Sequence, residues 1–225
     1  MTVLSRPVGG FLELLFPSLC VTCEQPVEPG HHLCDACGFS LSPANLGNWV
    51  AQVTTGAGLD GVWSAFWFDD RLQRAIHALK YEGRTGMAVD LMRYACAESP
   101  AAQLQQAYDV LIPVPLHRTK LRERGYNQSL LLAHALGEAW ELPVDPKAVR
   151  RRQWTVSQTG LTAGERIGNM AGSFECRLSA EGTRALLIDD VVTTGATASA
   201  CAQVLKGAGY SHVGVFSIAT PPTER

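Results

Sequence analysis

The stretch Ala185-Leu-Leu-Ile-Asp189-Asp190-Val-Val-Thr193-Thr194-Gly195-Ala196-Thr197 constrains the fold of this chain more than any other. An apolar run ends in two adjacent carboxylates, and a small hydroxyl-rich turn then opens an apolar-periodic segment. Read physically, this is a buried strand, a phosphate-sized loop and the start of a helix. The loop Thr193 to Thr197 can aim several backbone N–H groups and three hydroxyls at one anion, and the helix dipole favours negative charge there. Asp189 and Asp190 would repel that anion. They suit sugar hydroxyls, or a hydrated divalent cation beside the phosphate. Phosphate, diol and cation within one turn describe a phosphorylated sugar. The alternative is an ordinary strand-to-helix turn with Asp190 or Thr194 as a cap. A cap explains one or two polar residues, not two acids and three threonines around a glycine.

A second constraint lies at the front. Cys20-Val-Thr-Cys23 and Cys34-Asp-Ala-Cys37 are two Cys-x-x-Cys pairs separated by ten residues. Each tight turn can place two thiolates on one cation, and two turns complete a tetrahedron, so Cys20, Cys23, Cys34 and Cys37 read as a closed structural zinc site. Pro26, Pro29 and Gly30 between the pairs make that region loop, and a module this small needs its metal to fold. A redox dithiol would need only one pair. His31 and His32 lie close by, but four cysteines already fill the shell. Cys96, Cys176 and Cys201 have no partner at motif spacing and read as core thiols. An odd total of seven cysteines leaves one over from any complete disulfide framework.

The charge is unevenly spread. Residues 117–166 hold nine of the 19 Lys and Arg and five of the 21 acids, so that segment is +4 and the remainder −6. This excludes a generally basic nucleic-acid binder and marks a local anion-binding surface. No apolar run approaches the roughly 20 residues that span a membrane, and the first residues lack the apolar core of a secretory signal. A cytoplasmic protein without membrane insertion is expected.

Along the rest of the chain, 45–59 reads as a connection and 62–68 as a strand. Residues 70–80 form a helix with Leu72, Ala75, Ile76 and Leu79 on one face, capped by Asp69 or Asp70 and stopped by Gly83. Lys80 at its end can reach an anion, or simply be solvated. Asp109-Val-Leu-Ile-Pro-Val-Pro115 is a second strand ending in a stiff turn, where Leu116, His117 and Arg118 can present N–H groups and a cation. Ser129 to Trp140 is an apolar helix with Gly137 as its stop, and 145–152 is a short edge strand. Strands at 185–190 and 213–219 flank the last helix. Alternating strands and helices imply an α/β class with a mostly parallel sheet. Arg118, Lys120, Arg122 and Arg124 can offset a multiply charged leaving group, or form the solvated face of a basic helix. No Ser/His/Asp or Cys/His set stands out.

The acidic pair followed by Thr-Thr-Gly-x-Thr resembles the phosphoribosyl pyrophosphate (PRPP) motif of type I phosphoribosyltransferases. Asp109-Val-Leu-Ile-Pro-Val-Pro-Leu116, Arg122-Glu-Arg-Gly-Tyr-Asn-Gln128 and Ser157-Gln158-Thr-Gly-Leu161 with Arg166 and Asn169 resemble the ComF family of ComFC-like and GntX-like proteins. With the cysteine pairs, the resemblance covers nearly the whole chain. It implies a zinc-binding module over 1–45 and a phosphoribosyltransferase-like domain over 60–225. It also implies a role in handling incoming single-stranded DNA during natural transformation in some bacteria. The expected chemistry is Mg²⁺-dependent transfer of phosphoribosyl from PRPP to a nitrogen acceptor. Thr193, Thr194, Gly195, Ala196 and Thr197 would hold the 5′-phosphate, Asp189 and Asp190 the ribose hydroxyls. His117, Arg118, Lys120, Arg122 and Arg124 would face the pyrophosphate. The segment 150–169 resembles, in position, the mobile loop that closes over PRPP, with Arg151, Arg152 and Arg166 touching phosphate and Trp154 stacking on a base or merely packed. The alternative is a non-catalytic PRPP sensor that binds single-stranded DNA or a competence-machinery protein. The cysteine module, with three acids and no Lys or Arg between Cys20 and Cys37, is expected to dock onto the main domain or a partner rather than onto DNA.

Overall fold

The computed structural model describes residues 17–44, 58–98, 101–152, 173–177 and 179–222. The elements are α1 (Asp35–Gly38), β1 (Gly61–Trp67), α2 (Asp70–Tyr81), α3 (Met87–Glu98), α4 (Ala101–Ala107) and β2 (Val110–Pro113). There follow α5 (Arg118–Arg124), α6 (Gln128–Trp140), β3 (Val149–Arg151), β4 (Phe174–Cys176), β5 (Arg184–Val191), α7 (Ala196–Gly207) and β6 (His212–Thr220). Four strands make one sheet in the order β1-β6-β5-β2, every neighbouring pair parallel. This is the α/β architecture with a parallel sheet that the alternating pattern implies.

Parallel strands covered on both faces read as near-continuous apolar runs, and Ala185 to Ile188 and Val213 to Thr220 are buried throughout. Alternate side chains then serve opposite layers. Leu186, Ile188, Phe216 and Ile218 pack with α2, α3 and α6, while Leu187, Val213 and Val215 pack with α7, Val149 and Phe174. The N-terminal module belongs to the first layer, because Cys20, Leu33, Cys37 and Leu41 are buried in it. Its exit covers the outer edge of β1. Trp67 N–H donates to the Ser42 carbonyl and Ala44 N–H to the Ala65 carbonyl, so the outermost strand does not present an open ladder there.

Helix α2 has the expected bounds to within a residue, and the Asp69 carboxylate caps it by accepting from Leu72 N–H at 2.8 Å. Three expectations change. Helix α6 runs through Gly137 and ends with Glu141 in the left-handed region at φ 54°. Gly137 is needed for packing: a Cβ there would lie 2.8 Å from Val144 Cγ2 and 2.9 Å from the Leu142 carbonyl. The chain bridges β2 at Val144–Leu111, just before the strand expected over 145–152, and β3 within that span pairs antiparallel with β4 in a separate ribbon. Asp145 turns the chain away by accepting from the N–H groups of Lys147 and Ala148. Helices α3 and α4 fill the stretch between Gly83 and Asp109, for which the sequence pattern gives no element. The connection expected over 45–59 lies, apart from its last two residues, outside the described residues. Among the described residues no helix is long and apolar enough to cross a membrane.

Candidate functional site

Strands β2 and β5 are hydrogen-bonded neighbours with Pro113 opposite Ile188, so both deliver their carboxyl ends to one edge of the sheet. Ligands of open α/β sheets bind at that edge. There β5 presents Asp189 and Asp190, and the chain turns through the exposed Thr193 and Thr194 into α7. Gly195 is the residue before the helix, at φ 71°, a conformation glycine adopts without strain. No side chain caps α7 closely, since Thr194 Oγ1 lies 3.5 Å from Ala196 N. The first-turn N–H groups beside Thr197 are thus left to meet an anion, with the positive end of the helix dipole behind them.

The acidic pair is held by α2 and α6. Asp190 is buried, its Oδ1 accepts from Gln128 Nε2 at 3.0 Å, and its Oδ2 pairs with Lys80 Nζ. Asp189 Oδ1 accepts from Ser129 Oγ at 3.0 Å and from Asp190 N–H at 2.9 Å. Asp189 keeps some exposed surface, yet its carboxyl group is enclosed by protein atoms. That desolvation, and then the charge of Asp190, push its pKa up to about 8. Both causes favour the neutral acid, which can donate as well as accept. Asn127 sets the start of α6 by accepting from Ser129 N–H, and its Nδ2 donates to the Val114 carbonyl at the end of β2.

The basic stretch is a helix. His117 caps α5 by accepting from Thr119 N–H at 3.3 Å, and Gly125 ends it at φ 84°. Arg118, Lys120 and Arg122 are exposed. Arg124 turns inward: it lies 5.2 Å over the Tyr81 ring and donates to Gln128 Oε1, which links it to Asp190. Tyr126 O–H donates to the Leu79 carbonyl at 2.5 Å and so pins the turn of α2 that carries Lys80. On the ribbon, Arg151 lies 5.4 Å over Phe174, while Arg150 and Arg152 both pair with Glu175. Desolvation, and then the charges of Arg177, Arg118 and Arg152, lower the pKa of Arg150, which puts Arg118 in the same positive neighbourhood as the ribbon. Trp154 and Arg166 lie outside the described residues. Gln128 and Ser129 are candidate site residues that sequence reasoning did not assign, and Lys80, read there as reaching an anion or solvent, instead meets an acid. Only their burial against the acids distinguishes them from an ordinary helix end and helix start.

The four cysteine sulfurs lie within 4.8 Å of one another, and Cys23 Sγ is 3.6 Å from Cys34 Sγ. A tetrahedron with Zn–S bonds of about 2.3 Å has S···S edges of about 3.8 Å, so the set fits a structural zinc ion. Burial opposes the Cys20 thiolate, but N–H donors from Cys34, Cys23 and Thr22 outweigh it and bring the thiol down to about 7. His31 is turned away, its Nδ1 pairing with Asp90 Oδ1 at 2.5 Å. Asp90 also accepts from His32 N–H at 2.6 Å and Leu33 N–H at 3.1 Å. Arg71 donates to Ser40 Oγ, Arg74 to the Thr22 carbonyl, and Tyr94 O–H to Asp35. The module is therefore docked on α2 and α3, as its charge suggested.

No protein-family model matches the chain. Among solved structures it is similar to a purine phosphoribosyltransferase from Pyrococcus horikoshii (15% identity, TM-score 0.35, 61% of this chain and 80% of that one). It is also similar to an orotate phosphoribosyltransferase from Aeropyrum pernix (20% identity, TM-score 0.35, 74% and 76%). Curated relatives are nearer. The competence protein F of Haemophilus influenzae is 26% identical, covering 93% of both chains. The DNA utilization protein YhgH of Escherichia coli K12 is 30% identical over 225 residues, covering 91% of this chain and 98% of that protein. Similarity of that extent, joined to the parallel sheet, the acidic-pair turn and the four-cysteine centre, places the chain in the ComF family, with an N-terminal module whose four cysteines can hold a metal ion.

Proposed function

We propose that the chain binds PRPP and transfers its phosphoribosyl group to a nitrogen acceptor, releasing pyrophosphate. The observation that carries this reading is the enclosed pair Asp189–Asp190, held by Ser129, Gln128 and Lys80, beside the uncapped threonine-rich start of α7. In this reading Thr193, Thr194, Gly195, Ala196 and Thr197 receive the 5′-phosphate. Asp189 and Asp190 receive the ribose hydroxyls, the protonated Asp189 acting as donor or acceptor and Asp190 as acceptor. The C1′–O bond to pyrophosphate breaks as the C1′–N bond to the acceptor forms, and the acceptor's proton leaves to solvent. The sugar passes through an oxocarbenium-like state, so placement of charge matters more than a covalent nucleophile. His117, Arg118, Lys120, Arg122, Arg124, Arg151, Arg152 and Arg166 are the proposed partners of the pyrophosphate. Mg²⁺ accompanying PRPP would supply further neutralisation of that leaving group. The domain over 60–225 carries this chemistry, and the module over 1–45 holds zinc. Cytoplasmic placement suits a chain whose described cysteines form no disulfide.

A second reading makes the chain a PRPP-sensing adaptor for single-stranded DNA or a competence protein. The observation favouring it is the gathering of Arg118, Arg152 and Arg177 about Arg150, with Glu175 pairing only Arg150 and Arg152, a surface suited to a phosphodiester backbone. The names of the relatives, DNA utilization protein and competence protein F, point the same way. Pyrophosphate release from PRPP, followed across nucleobases, ammonia and primary amines, separates the two. Release that depends on one acceptor supports transfer. PRPP binding with no release across the panel, together with salt-sensitive binding of single-stranded DNA, supports the adaptor.

A further inference from the structure

The acidic pair contains a third member that neither its motif nor its resemblance assigns. Lys80 Nζ contacts Asp190 Oδ2, the oxygen that Gln128 does not take. The contact is enclosed: the lysine side chain is 21% exposed and the aspartate 6%. Lys80 is not a loose surface side chain that happens to fold inward. It occupies the last turn of α2, a 12-residue helix capped at its start by Asp69. That turn is tied to the cassette before α6 by the Tyr126 bond to Leu79. Glu82 N–H and Arg84 N–H both return to the Ala78 carbonyl to close the helix end. The ammonium therefore stands on a built support beside a buried carboxylate.

The consequence concerns what the pair can accept. Two adjacent ionised carboxylates at a cleft would attract a divalent cation directly. Here the charge of Asp190 is already answered by an ammonium, and that ammonium occupies the approach to the one oxygen a cation would need. Sugar hydroxyls are neutral donors and can approach without displacing a charge. We propose that Lys80 is a specificity-determining residue, closing Asp190 to free divalent cations and keeping the acidic pair for the neutral hydroxyls of a sugar. The raised pKa of Asp189 works in the same direction, since a protonated neighbour adds little attraction for metal. In the phosphoribosyl reading, on which the sugar half of this proposal rests, metal then enters only with the pyrophosphate.

The test is Mn²⁺ binding to the ligand-free, zinc-loaded full chain, read by electron paramagnetic resonance. Lys80→Met is expected to raise Mn²⁺ affinity by about tenfold or more, the least that follows from removing a positive charge at contact distance from the entering ion. Lys80→Met combined with Asp190→Asn should return to the wild-type value, and Lys80→Arg should stay there. If Lys80→Met does not fold, Lys80→Gln decides, with the same gain expected because it too removes the ammonium. Wild-type binding as tight as that of the folded Lys80 variant, or a gain that persists when Asp190→Asn is added to it, would overturn the proposal. PRPP binding is read separately by calorimetry on the same samples. A gain of Mn²⁺ affinity in Lys80→Met with no PRPP binding by wild type keeps the exclusion and removes its sugar half.

Discussion

Among the described residues two aspartates are almost wholly buried, and they are held in opposite ways. Asp90, 1% exposed, is satisfied by His31 Nδ1 and the N–H groups of His32 and Leu33, so it fastens the cysteine module to α3. Asp190, 5% exposed, sits at the carboxyl end of the sheet beside a second acid. It is held by two side chains, Gln128 and Lys80, and by no backbone donor among the described residues. Burial alone does not separate structure from function. The source of the satisfying donors does: fixed main-chain N–H groups lock a carboxylate in place, whereas side chains at a cleft can yield to a ligand.

Removing the metal should have the largest effect. Chelation is expected to abolish amide protection across 17–44, because the thiols lose the ion that joins them, while β5 and β6 keep theirs. Hydrogen exchange read by mass spectrometry checks this, and uniform loss across the sheet would mean that the two regions are one cooperative unit. Next in size is the contrast between the aspartates themselves. Asp90→Ala leaves three donors facing an apolar gap and should lower stability by about 3 kcal/mol or more. Asp190→Asn keeps the shape and the Gln128 contact but leaves Lys80 unpaired within reach of water, and should cost less, about 1 kcal/mol. Urea unfolding measures both, and equal losses would break the comparison.

The last expected effect is a slope with pH rather than a loss at one pH. Asp189 has its pKa raised from 3.8 to about 8 in the folded chain, so folding takes up a proton between those values. Its contribution to stability is complete below 3.8 and is lost as the pH rises through about 8. Asp189→Asn should therefore flatten the decline in melting temperature over that window. An unchanged slope would show that the Asp189 carboxyl is not enclosed in solution.

The parts legible in the sequence are those that depend on local order. The acidic-pair turn, the strand before it, the two cysteine pairs and helix α2 all declare themselves within about a dozen residues. Pro113 and Ile188 come together only through the sheet, and Lys80 and Asp190 meet across 110 positions, so neither contact has a local signature. Lys80 reads as an ordinary lysine at a helix end until its partner is known. Gly137 misleads for a related reason. Glycine late in a helix usually signals a stop, but here the demand comes from Val144 and Leu142, which pack against it from the following turn. Asp145 likewise redirects the ribbon through a side-chain turn that overrides the strand-like pattern after it.

The most direct test of the central claim is calorimetric titration with PRPP and Mg²⁺ of the zinc-loaded wild type against Asp189→Asn/Asp190→Asn. If the acidic pair and the threonine turn form one phosphosugar site, wild type binds and the folded double variant loses about a hundredfold or more in affinity, the effect of weakening two hydrogen bonds to charged or strongly polar acceptors. Undiminished binding by the double variant, or no binding by the wild type, would contradict it.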